Sequence, residues 1–101
     1  MGPSITIPAI SKEYVKAGVG GSADLPDFLV HMALLPAGQD PGDDDWQPAE
    51  WIVEDGVNKS AILVGPDTQL PLTKGILYQV WVRVTAAPEI PVLQPGTVYA
   101  S

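Results

Sequence analysis

The chain has 101 residues, 46% hydrophobic and 17% charged, with a formal net charge of −7 and no cysteine, which is the makeup of one folded, acidic domain. Its five basic residues, Lys12, Lys16, Lys59, Lys74 and Arg83, are scattered. That argues against nucleic-acid partners and against an anionic membrane surface, both of which need clustered cations. Lack of cysteine removes disulfide frameworks, thiolate metal sites and thiol nucleophiles together.

Eleven prolines and ten glycines fall between apolar runs and read as turn punctuation. The N-terminal ten residues have no basic stretch followed by a long apolar core, so a secretion signal is not expected there. Ile5–Ile10 is interrupted by Pro8, which cannot donate to a ladder, so residues 1–10 are expected to form an extended arm or an edge strand. Residues 11–101 are then the folded domain. Lys12–Val19 reads as a short strand ended by Gly20, Gly21 and Ser22, with a turn at Leu25-Pro26-Asp27. Phe28–Leu35 is apolar on both faces, as a central strand would be. Pro26 and Pro36 bracket it too closely for a useful helix.

Ala37–Trp46 is the most polar stretch and reads as a loop. Ala49–Val53 is a strand ending at Asp55-Gly56, and Asn58–Val64 is another, closed by Gly65-Pro66-Asp67. Leu70–Gly75 leads into Ile76–Val84, which alternates strictly. Ile76, Tyr78, Val80, Val82 and Val84 take one face, and Leu77, Gln79, Trp81, Arg83 and Thr85 the other. Pro88–Tyr99 is the last strand, and its prolines predict an irregular course or an edge position. About seven short strands and no helix predict an all-β domain, a β-sandwich in preference to a small barrel. Trp51 and Tyr78 are the expected aromatic centre of its core.

Candidate sites are few. Asp40, Asp43, Asp44 and Asp45 form the one carboxylate cluster, but the alternating spacing of a calcium loop is missing, so no metal site is assigned. His31 is the sole histidine. None of Ser4, Ser11, Ser22, Ser60 and Ser101 sits in a nucleophile-elbow setting, so no catalytic residue and no cofactor site is assigned. Glu50 and Glu54 read as outward strand positions. Trp46 and Trp81 are candidate contact residues. Trp81 is either covered by Arg83 or exposed, and an exposed tryptophan suits a protein interface or a sugar ring. The apolar arm adds Ile5, Ile7 and Ile10 as interface candidates toward a neighbouring subunit.

Tyr78-Gln-Val-Trp-Val-Arg-Val84, with the closing Gly96-Thr-Val-Tyr99, resembles the last two strands of fibronectin type III and immunoglobulin-like modules over roughly the last thirty residues. The early-strand tryptophan typical of fibronectin modules has no clear match in this chain, and Trp51 is the residue that could take its place. The whole chain resembles small proteins encoded among the virion structural genes of tailed bacteriophages that infect actinobacteria. The likeness rests on Ile7-Pro-Ala-Ile10, Glu13-Tyr14-Val15, Pro41-Gly-Asp-Asp-Asp-Trp46, Leu63-Val-Gly-Pro66 and Val80-Trp-Val-Arg-Val-Thr-Ala-Ala-Pro-Glu-Ile-Pro-Val92. It implies a non-enzymatic virion protein, made in the host cytoplasm and carried in many symmetric copies on the major capsid protein or other virion proteins, as a decoration or minor capsid protein. A head–tail connector, a tail component, and a host-surface or carbohydrate-binding module are the alternatives.

Overall fold

The computed structural model describes residues 4–20 and 25–101. Part of the turn expected after Gly20 lies on residues 21–24, outside the described residues. Eight strands follow in chain order: β1 Ser4–Ile7, β2 Glu13–Gly18, β3 Leu29–Pro36, β4 Gln47–Pro48, β5 Glu50–Glu54, β6 Val57–Val64, β7 Leu77–Thr85 and β8 Val92–Ala100. They build one sheet in the order β1-β8-β7-β3-β4 and a second in the order β2-β6-β5. This is an immunoglobulin-like β-sandwich, with one strand more than the sequence pattern counts. The addition is the two-residue β4, too short for period-two patterning to register.

Alternation decides which side chains meet between the sheets. On β7, Tyr78, Val80, Val82 and Val84 are all buried, and they join Val30, Met32 and Leu34 of β3 and Val98 and Ala100 of β8 in one cluster. Val15 and Ala17 of β2 and Ile62 and Val64 of β6 close it from the opposite sheet. Trp51 packs against this cluster and donates its indole Nε1–H to the Phe28 carbonyl at 2.8 Å. Tyr78 is a tyrosine corner: it stands near the start of β7, with its hydroxyl bonded back to the Thr73 backbone.

Turns follow their residue chemistry. Asp55 and Gly56, at φ 53° and 75°, join β5 to β6 in a two-residue hairpin that requires positive φ at both positions. Gly65 has φ 112°, and a Cβ there would lie 2.1 Å from the Ser11 carbonyl oxygen, so no side chain fits.

One expectation is refined and another changes. First, the proline-bearing half of β8, Val92–Gly96, keeps an open edge as expected, while Thr97–Ala100 is covered by parallel pairing with Ser4–Ile7 of β1. β8 is also irregular: Val82 pairs with Leu93 and Val80 with Gly96, so Trp81 faces a bulge of Gln94 and Pro95. Pro95 thus sits where no ladder donor is needed. Second, Ile7 is not a free contact residue. Its register with Ala100 turns it inward, and at 3% exposure it belongs to the core.

Candidate functional site

The five strands of the larger sheet contain no Asp and no Glu. Their one permanent charge is Arg83, although the whole chain has twelve acidic residues. The charged strand residues Glu13, Lys16, Glu50, Glu54 and Lys59 all lie in the smaller sheet. There Glu54 accepts from Lys16 at 2.8 Å and from Lys59 at 3.2 Å, and these bonds hold its carboxyl below the ordinary carboxylate range. Among the described residues Arg83 makes no ion pair.

On the outer face of the larger sheet, register sets Arg83 between His31 of β3 and Val92 of β8, with Ala33 opposite Trp81 and Leu77 opposite Tyr99. Leu29, Leu77, Val92 and Tyr99 are exposed there. Pairing of Gln47 and Pro48 with β3 brings the preceding residue, Trp46, over this face, where the Arg83 guanidinium lies 4.7 Å from its ring centroid.

The sequence-predicted contact residues therefore divide. Trp46 is half-buried and stacked on Arg83. Trp81 is only 9% exposed and is a floor residue, not a projecting anchor. It is flanked by Gln79 and Arg83 along β7, while small Ala33 and the Gln94–Pro95 bulge leave room for the indole on either side. Ile5 and Ile10 are 45% and 88% exposed, but Ile5 lies at the open side of the sandwich near Val15 and Val98, away from the Arg83 face.

Three buried polar atoms of this face, His31 Nδ1, Trp81 Nε1 and Arg83 Nε, have no hydrogen-bond partner among the described residues. Burial first, and the Arg83 charge second, push the His31 pKa below its ordinary value, so the imidazole is neutral at pH 7. No carboxylate orients it, and no hydroxyl nucleophile stands beside it on the sheet register.

The acidic loop is ordered by its own backbone. Asp43–Asp45 form one 3-10 turn, in which the Asp45 carboxylate accepts from the Gly42 N–H at 2.7 Å. Among the described residues no group of three His, Asp or Glu side chains converges to hold a metal ion. Sequence reasoning found the two tryptophans but missed the charge segregation between sheets, which appears only once strand order is known. Neither protein-family models, nor curated proteins, nor solved structures give a match to this chain.

Proposed function

We propose that this chain is a non-enzymatic docking protein that binds an acidic partner surface through the outer face of its larger sheet. Together with the resemblance to small virion proteins, the reading is a capsid-associated protein of a tailed phage. One observation carries it: a sheet free of carboxylates, with an ion-unpaired, tryptophan-stacked arginine at its middle, on a chain of net charge −7.

Exposed apolar side chains around a buried tryptophan and an arginine are the composition of an interface centre. A second copy is a poor occupant. Symmetric face-to-face packing would oppose two guanidinium groups with no acid on either strand set. A partner carboxylate on Arg83 removes that difficulty. Many copies on a symmetric shell need only modest affinity each.

Co-sedimentation of the purified protein with shells assembled without it is the test. Wild-type protein saturates at a stoichiometry set by shell symmetry. Arg83→Glu, still folded by circular dichroism, loses at least about 30-fold in affinity, the scale of an unpaired interfacial charge. Equal binding by Arg83→Glu, or sedimentation with tails alone, would sink the capsid reading.

A further inference from the structure

The smaller sheet also has an outer face, and it is built differently. Register places Ala61 of β6 between Lys16 of β2 and Glu50 of β5, with Tyr14 opposite Leu63 two positions along on the same face. Ala61 points away from the core cluster, yet it is only 2% exposed. Its methyl is shorter than every neighbouring side chain, so the sheet surface dips at that position. Two concavities meet over this dip and share Tyr14, Glu50 and Ala61. One, of about 390 Å³, is closed by Gln47, Pro48 and the 67–69 turn. The other, of about 310 Å³, runs on toward Lys16 and Ile52. Either is large enough for a small ligand.

The lining has a specific chemistry. Tyr14 is 51% exposed and offers a ring wall. Gln47, Glu50, Asp67 and Gln69 line the same groove, and none of them makes a side-chain hydrogen bond to another described residue. Lys16, at the far end, is already neutralised by Glu54 at 2.8 Å. The groove therefore offers an aromatic surface, two acceptor-only carboxylates and two amides that donate and accept.

An apolar ligand would desolvate these groups without replacing their hydrogen bonds. An anionic ligand would meet Glu50 and Asp67. A neutral pyranose fits: its C–H face packs on an aromatic ring, while its hydroxyls donate to carboxylates and accept from amides. We infer that the Tyr14–Glu50–Asp67 groove is a binding site for a neutral saccharide. It does not include Arg83 and does not rest on the docking role, although Gln47 and Pro48 on its rim belong to β4 of the larger sheet, next to Trp46.

The test is a titration of the isotopically labelled full chain, followed by amide NMR, with neutral hexoses, N-acetylhexosamines and their disaccharides. Saturable shifts confined to Tyr14, Ala61, Thr68 and Gln69 are expected, with a dissociation constant of about 1 mM. Tyr14→Ala, an exposed position, weakens binding about tenfold or more. Ala61→Leu fills the floor and abolishes it, and the uronic acid matching the best sugar produces no shift. Arg83→Glu binds sugar like wild type, which separates failure of this site from failure of the docking face. Absence of saturable shifts with every neutral sugar overturns the inference. So does undiminished binding by Tyr14→Ala, or a response to a lysine peptide but to no sugar.

Discussion

The Tyr78 hydroxyl accepts a hydrogen bond from the Thr73 backbone N–H at 2.8 Å, which ties the approach to β7 to a ring that is itself part of the core. One side chain thus fixes both the packing at the head of β7 and the path of the segment that enters it. Tyr78→Phe keeps the ring and orphans the Thr73 donor. The expected cost is about 1 kcal/mol, read as a lower urea midpoint at unchanged slope. No change in midpoint would mean that water replaces the bond without loss.

Gly65 and Gly20 make a matched pair for a second measurement. Gly65→Ala forces a Cβ onto the Ser11 carbonyl at a positive φ, and a loss of about 3 kcal/mol or more is expected. Nothing lies within 4 Å of a Cβ added at Gly20, so Gly20→Ala changes stability by no more than about 0.5 kcal/mol. Similar midpoints for the two variants would contradict the close approach.

Ser60 is fully buried opposite Trp51 and Ala17, and its hydroxyl has no partner among the described residues. Removing an unpaired buried hydroxyl relieves its desolvation. Ser60→Ala should therefore raise stability, by about 1 kcal/mol. A lower midpoint would show that the hydroxyl is satisfied in solution.

His31 makes stability depend on pH. Burial, then the Arg83 charge, lower its pKa in the folded chain from the ordinary 6.5, so the unfolded chain takes up its proton first as pH falls. The contribution of His31 is complete above 6.5 and is lost as pH falls through the folded value. Glu54 acts at lower pH. Hydrogen bonds from Lys16 and Lys59 depress its pKa from 4.5, so its contribution is present above that value and disappears below it. Urea midpoints measured from about pH 8 to about pH 5 should decline for the wild type and flatten in His31→Gln. Identical slopes would remove His31 as the cause.

Local patterning made much of the fold legible. The alternation of β7, the Asp55-Gly56 hairpin and the proline-bracketed β3 each follow from neighbours in sequence. Ile7 was not legible as core, because its burial depends on parallel pairing with Ala100 at the other end of the chain. Local sequence does not decide whether Trp81 is covered or exposed, since the deciding partners are Ala33 and a bulge in β8. The Tyr14 groove was invisible for the same reason: it joins β2, the β4–β5 crossover and the turn at 67–69, which no periodicity relates.

Because the larger sheet carries a guanidinium and no carboxylate, mild acid finds no acid of that sheet to neutralise, and His31 is the one group there whose protonation changes as pH falls. Attachment through it that weakens in mild acid even in His31→Gln therefore assigns the titrating acid to the surface on which the protein sits.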